Sequence, residues 1–419
     1  MDTPPKITPR PRAARPVAAV TEPPRRVLVA YGTRPEAVKV APLVLALRES
    51  PLFTPVVAVT GQHRSMLDQV NEVFGITPDV DLDIHAAGQT LGDVTTRSLG
   101  GFEGVLAEHR PDAVVVQGDT TTTFSVALAG FYARVPVVHM EAGLRTNDVS
   151  SPFPEEINRR LTTQLAALHL APTPQSRANL LAEGVDPARV HVTGNTVIDA
   201  LQWTAGRGLP YGDPALDDLD ASDRRVLLVT AHRRESWGVP MQAVGRALAR
   251  LARRYPDLLV VLPVHRNPVV RKALLPFVAA LPNVRVTEPL AYGGFCRLLA
   301  RADLVLTDSG GVQEEAPSLG KPVLVLRDTT ERPEAVAAGT ARLVGTDEEL
   351  VVATVSTLLD DPDAYARMAQ AVNPYGDGRA AERTVAALAH FFGIGARPEE
   401  FGADLERVVD LRVPERVAL

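Results

Sequence analysis

The chain has 419 residues, 45% of them hydrophobic, with 44 Lys and Arg against 50 Asp and Glu, a formal charge of −6 and one cysteine. That is more chain than one core usually serves, so two domains are expected, and the interspersed charges leave no basic stripe for nucleic acid or an anionic membrane surface. The single Cys296 excludes an internal disulfide and a cysteine-rich metal site, which fits a reducing cytoplasm, and no apolar run approaches the ~20 residues that cross a bilayer.

Residues 1–24, rich in Pro and Arg, hold no continuous apolar region and read as a disordered arm, not as a signal or anchor. From Arg25 short Val/Leu-rich runs alternate with amphipathic segments: RRVLVAYG, FTPVVAVTG, AVVVQGD and VPVVHMEAG, with a helix expected from about Ser65 to Phe74. After a polar stretch from Gly206 to Asp223 the alternation restarts with RRVLLVTAHR, DLLVVLPVHR, NVRVTEPL, DLVLTDSGG, KPVLVL and ARLVG. Runs this apolar suit strands covered on both faces, and their alternation with helices predicts parallel sheets with right-handed crossovers. Two Rossmann-like sheets in series imply a cleft, with ligands at the carboxyl ends of the strands.

The polar clusters fall at such ends. Gly32, Thr33 and Arg34 stand between a strand and a helix opening with Pro35, where free backbone amides and a guanidinium make an anion site, or simply a turn. Asp119 precedes four threonines and can cap a helix or face the cleft. Glu141 ends the next strand beside Gly143 and Arg145, and Glu155 and Glu156 open a helix after Pro154, where the helix dipole favours acids in any protein. Asp119, Glu141 and Glu155 near one open sheet end are costly together unless their proton affinities are used. His232, with Arg233 and Arg234, lies across from them and suits a phosphate.

In the second half, Ser309, Gly310 and Gly311 let backbone amides approach a diphosphate at a helix N-terminus, and a glutamate one turn into that helix can accept both hydroxyls of a ribose. No Gly-Lys-Ser/Thr follows, so this is not a Walker loop, and the first strand ends in YGTRPE, not in a dinucleotide fingerprint.

GTRPEAVKVAP, QHRSMLDQV, GDTTTT, EAGLRT, PFPEEINRRLT, TGNTVIDAL, HRRES, PVHRNP, TDSGGVQEEAPSLGKPVLVLRDTTERPEAV and NPYGDG, in register from about 26 to 393, resemble the non-hydrolysing bacterial UDP-N-acetylglucosamine 2-epimerases. The resemblance implies the GT-B architecture: an N-terminal domain over 25–200, a UDP-binding domain over 201–376, a crossover helix returning to the first at about 377–393, and a tail over 394–419. It also implies interconversion of UDP-GlcNAc and UDP-ManNAc by elimination and re-addition of UDP through a 2-acetamidoglucal, with no metal or nicotinamide. By position, Asp119, Glu141, Glu155 and His232 match the family's essential groups. Arg34, Lys39, Phe295, Ser309, Gly310, Gly311, Glu315 and Arg332 match nucleotide-holding positions, with Phe295 near uracil. Gln62, His63 and Arg64 match a regulatory site for a second UDP-GlcNAc, although Ser65 and Gly88 stand where regulated relatives often carry longer polar side chains. Ser236, Gln117 and Leu290 also depart from the usual pattern, without removing a charged group. A homodimer is expected. Two other chemistries stay open: a hydrolysing epimerase releasing ManNAc, and a GT-B glycosyltransferase.

Overall fold

The computed structural model describes residues 23–62 and 64–402. The arm expected over 1–24 lies outside them up to residue 22, as do His63 and the tail beyond 402.

The first half runs β1 (Arg25–Tyr31), α1 (Arg34–Glu49), β2 (Phe53–Val59), α2 (Arg64–Phe74), β3 (Val80–Asp81), α3 (Leu91–His109), β4 (Ala113–Gln117), α4 (Thr121–Tyr132), β5 (Val137–Met140), α5 (Glu155–Leu165), β6 (Leu168–Ala171), α6 (Pro174–Ala182), β7 (Val190–Val192) and α7 (Thr196–Ala205). The second runs β8 (Arg225–Thr230), α8 (Val239–Arg254), β9 (Leu258–Pro263), α9 (Pro268–Val278), β10 (Val284–Thr287), α10 (Tyr292–Arg301), β11 (Leu304–Thr307), α11 (Gly310–Glu315), β12 (Val323–Val325), α12 (Pro333–Ala337), β13 (Ala341–Leu343), α13 (Glu348–Asp360), α14 (Pro362–Ala369) and α15 (Ala380–Phe391).

Among the described residues the strands form a 7-stranded sheet, ordered β3-β2-β1-β4-β5-β6-β7, and a 6-stranded sheet, ordered β10-β9-β8-β11-β12-β13. Every pairing is parallel. All five residues of β4 are buried, as expected of a strand covered by helices on both faces. The fold is therefore the expected GT-B arrangement of two doubly wound parallel sheets. β3, β6 and β7 escape the sequence reading because they are only two to four residues long and, in β6 and β7, carry His169 or His191 inside otherwise apolar runs.

The two halves meet through α7, which packs on α1 from one side and on α10 and α11 from the other. Phe74 of α2 stacks on Trp203 of α7 with centroids 4.6 Å apart, and Tyr292 of α10 completes the group at 6.2 Å from Phe74. The chain then returns to the first sheet's side. Asp199 in α7 accepts from the amides of Ala380 (3.2 Å) and Ala381 (2.8 Å), supplying the acceptors that the N-terminus of α15 needs. α15 packs on α1 and α7, and the Phe401 amide donates to Val192 of β7 at 2.8 Å.

Candidate active site

Each sheet reverses its strand order at one place, between β1 and β4 in the first and between β8 and β11 in the second. Loops leaving the carboxyl ends of such neighbours run to opposite faces and leave a crevice between them. Gly32–Arg34 and Gly118–Thr120 leave one crevice, while Ala231–Arg233 and Asp308–Ser309 leave the other. Gly32 is dictated by packing: a Cβ there would stand 2.1 Å from Thr60 Oγ1 and 2.7 Å from Thr122 Oγ1.

Asp119 follows β4, half-buried. Arg159 of α5 donates to its carboxylate at 2.5 Å and the Asn158 amide donates to its backbone carbonyl at 3.0 Å. Burial nonetheless raises its pKa, with the Arg159 guanidinium opposing and the charge of Glu141 adding to the rise. Glu141 follows β5 in a left-handed conformation (φ 57°), which a non-glycine residue adopts only when its surroundings hold it there. Lys39 donates to both carboxylate oxygens at 2.6 Å, Gln117 donates to one of them, and Asn195 donates to the other at 3.2 Å. Burial alone would raise the Glu141 carboxyl, but Lys39, Arg332 and Gln117 together hold the group below its ordinary value. Glu155 is half-buried at the first position of α5, and its side chain makes no hydrogen bond or ion pair among the described residues. Its neighbour Glu156 is structural: it is fully buried and accepts from the Thr146 amide (3.0 Å) and from Arg160 (2.9 Å).

Across the cleft, His232 follows β8 with its Nδ1 3.0 Å from Asp308 Oδ1. The other Asp308 oxygen accepts from the amides of His232 (2.6 Å) and Arg233 (2.7 Å). Burial opposes ionisation of this fully buried carboxyl, yet His232 and the two amides hold its pKa below the usual range. The ring of His265 stacks against that of His232 at 5.8 Å. In α11, Glu314 is buried and fully engaged: Arg332 donates to one carboxylate oxygen and Asn195 to the other at 2.8 Å. Glu315 beside it has no such partner among the described residues. Burial, reinforced by the charge of Glu314, pushes its pKa up to about 8.

A cleft of about 660 Å³ separates the halves, and its walls include Arg34, Lys39, His232, Phe295, Ser309, Gly311, Glu315 and Arg332. Gly310, Asp119 and Glu155 are not among these walls, and Glu141 meets them through Lys39. A Cβ on Gly311 would meet nothing within 4 Å, so the protein's own packing does not demand a glycine there. Gln62 is tied by its side chain to Thr122 (3.2 Å) and by its carbonyl to His85 (3.1 Å). Of the other two residues matched to a regulatory site, His63 lies outside the described residues and Arg64 opens α2.

One expectation is corrected. The amides of Gly32 and Thr33 are not free for an anion, because the side chain of Glu36 folds back and accepts both, at 3.1 and 2.8 Å. Thr33 and Glu36 form a capping box, and Glu36 is buried with Thr120 and Thr123 donating to its second oxygen. The sequence reading also assigned nothing to Asp308, Glu314, Asn195 or Arg159. Asp308 and Glu314 were within reach, since they flank the Ser309–Gly311 turn and Glu315; Asn195 and Arg159 lie inside the TGNTVIDAL and PFPEEINRRLT motifs, but nothing local in the sequence says which carboxylates they meet.

Residues 45–389 match the family model for UDP-N-acetylglucosamine 2-epimerase. The UDP-N-acetylglucosamine 2-epimerase of Escherichia coli strain K12 is 52% identical over 369 residues, covering 87% of this chain and 98% of the E. coli protein. The crystal structure of the Neisseria meningitidis UDP-GlcNAc 2-epimerase bound to UDP-GlcNAc superposes with a TM-score of 0.77 at 46% identity, over 87% of this chain and all of that one (100%). The Methanocaldococcus jannaschii enzyme in complex with UDP-GlcNAc and UDP gives 0.68 at 33%, over 87% and 99%. With this similarity along nearly the whole folded chain, the protein belongs to the UDP-N-acetylglucosamine 2-epimerase family.

Proposed function

We propose that the protein interconverts UDP-GlcNAc and UDP-ManNAc without hydrolysis, by eliminating UDP and adding it back. The observation that carries this reading is the pair Asp119 and Glu141, whose surroundings drive their proton affinities in opposite directions, Asp119 upward and Glu141 downward. Two carboxyls separated in this way, with Glu155 at the start of α5 lacking a side-chain partner among the described residues, suit a reaction that removes a weakly acidic proton from one face of a sugar and returns one to the other.

In that reaction a carboxylate takes the C2 proton, the C–H electron pair forms the C1=C2 bond, and the C1–O bond breaks with its pair leaving on UDP. Addition to the resulting 2-acetamidoglucal rejoins the UDP oxygen to C1 while C2 is protonated from the opposite face. His232, oriented by Asp308, and the guanidinium of Arg332 support the departing diphosphate, whose charge grows as the bond breaks. Ser309, Gly310 and Gly311 hold the diphosphate. The open space at Gly311 supports this assignment. Glu315 takes the ribose hydroxyls, Phe295 flanks the uracil, and Arg34 and Lys39 line the same seat. We place the protein in the cytoplasm as a homodimer, with the expected domain limit at 200/201 falling inside α7, the helix that joins the two halves.

The test is incubation with UDP-GlcNAc in deuterated water. Deuterium at C2 of UDP-ManNAc, with scrambling of a labelled bridging oxygen into the diphosphate, is the expected outcome. Full retention of the C2 hydrogen defeats elimination, and accumulation of free ManNAc in place of UDP-ManNAc assigns a hydrolysing enzyme.

A further inference from the structure

Asn195 is the N-cap of α7, in the turn that follows β7, and is 4% exposed. All of its side-chain polar groups are used. Its Oδ1 accepts from the Val197 amide at 3.1 Å and caps α7, and its own backbone amide donates to the Tyr375 carbonyl at 2.7 Å. Its Nδ2 has two hydrogens and meets two carboxylates: Glu141 Oε1 at 3.2 Å, at the end of the first sheet, and Glu314 Oε2 at 2.8 Å, in the second domain.

We propose that Asn195 is a positioning residue, clamping Glu141 of one domain to Glu314 of the other so that closure of the cleft and the orientation of Glu141 are one event; this rests on the epimerase reading given above. The argument is one of charge and satisfaction. Lys39 neutralises Glu141 and Arg332 neutralises Glu314, which leaves two buried ion pairs end to end across the interdomain boundary. Between two carboxylates only a neutral group with two donors satisfies both sides without adding charge, and a primary amide does so on a short side chain. Apart from the four charged members of these pairs, the titratable groups that interact electrostatically with the cluster include Asp119, Glu315, His139 of β5 beside Glu141, and Tyr375 beside Glu314. Arg383 of α15 reaches the Thr193 carbonyl close by and is itself paired with Asp377.

The arrangement also couples the two sites. Arg332 lines the cleft while holding Glu314, so a diphosphate drawing on that guanidinium alters the hold on Glu314 and, through Asn195, on Glu141. Glu141 touches the reacting sugar in the proposed function; Asn195 acts through it.

Two substitutions separate this role from simple helix capping, because Asp and Ser both cap α7 as Asn does. Asn195→Asp puts a third carboxylate between Glu141 and Glu314, and that carboxylate binds a proton more readily folded than unfolded. The cost to stability is present at pH 8 and shrinks as pH falls, so the melting-temperature gap to wild type narrows between pH 8 and pH 6. The kcat of this variant falls at least tenfold at pH 8 and recovers in part at pH 6, where the introduced carboxyl takes up a proton and donates again. Asn195→Ser adds no charge and replaces the amide's two donors with one hydroxyl on a shorter side chain, which cannot bridge both carboxylates; its kcat falls tenfold or more at both pH values, and its melting temperature follows the wild-type dependence on pH. A melting gap for Asn195→Asp that does not change with pH, or wild-type kcat in Asn195→Ser, overturns the inference. The melting measurements need no turnover, so they decide the clamp even if wild type fails to epimerise, a result that defeats only the functional reading.

Discussion

Lys39 Nζ stands 2.6 Å from each oxygen of Glu141, joining α1 to the end of β5 across 102 positions of sequence. Both side chains are largely withdrawn from solvent, at 20% and 8% exposure, so neither charge can be removed without stranding the other.

Lys39→Met leaves the Glu141 carboxylate buried without its cation and should destabilise the fold by about 3 kcal/mol near neutrality, measured by urea denaturation. The pH dependence has a definite sign. In wild type Glu141 is held below its ordinary pKa, so its contribution is present above the unfolded value and is lost as pH falls through the folded one. In the variant the burial that raises the pKa is no longer opposed by Lys39, so the stability gap between the two proteins should narrow from pH 7 to pH 4. A gap independent of pH would count against a charge-pair role for Lys39.

Asp308→Asn keeps an oxygen for the His232 and Arg233 amides but places an amide nitrogen against the His232 ring in place of a carboxylate oxygen. Steady-state kinetics should show kcat reduced by ~10²-fold, the scale of a misdirected acid-base group, with UDP affinity changed little. Unaltered kcat would remove Asp308 from the support of His232.

Glu315 has its pKa pushed up to about 8 by burial, yet its assigned task is to accept ribose hydroxyls as a carboxylate. Binding of UDP should therefore release a proton below pH 8, and affinity should rise with pH between 7 and 8 and level off above. Calorimetry in buffers of different ionisation enthalpy measures the release directly. In Glu315→Ala the proton release should vanish and UDP binding should weaken by ~1.5–3 kcal/mol.

Asp119→Asn and Glu155→Gln preserve size but cannot take up a proton at neutral pH. Each should bind UDP while losing epimerisation by ~10²-fold or more, read from the appearance of UDP-ManNAc. Asp119→Asn also tests the alternative that the residue serves only to anchor Arg159, which it contacts at 2.5 Å. Loss of folding or of UDP affinity, with turnover per folded molecule retained, would favour that structural role.

What the sequence determined by itself was everything encoded locally. Long apolar runs such as AVVVQ predict buried parallel strands because period and burial are properties of neighbouring residues, and the strand-end positions of Asp119, Glu141, His232 and Ser309 follow from the same pattern. The Thr33–Glu36 capping box was equally local and was legible in TRPE, although an anion site was expected there. Tertiary structure alone decided which charges meet. Asn195 and Glu314 are 119 residues apart and Arg159 lies 40 from Asp119; no periodicity carries such pairings, because they arise only when the chain has folded into its sheets and the two sheets are brought together around α7. That contact is also what distinguishes the adjacent Glu314 and Glu315. The first is neutralised by Arg332 and hydrogen-bonded by Asn195, whereas the second has no side-chain partner among the described residues at the cleft wall, where desolvation raises its affinity for a proton.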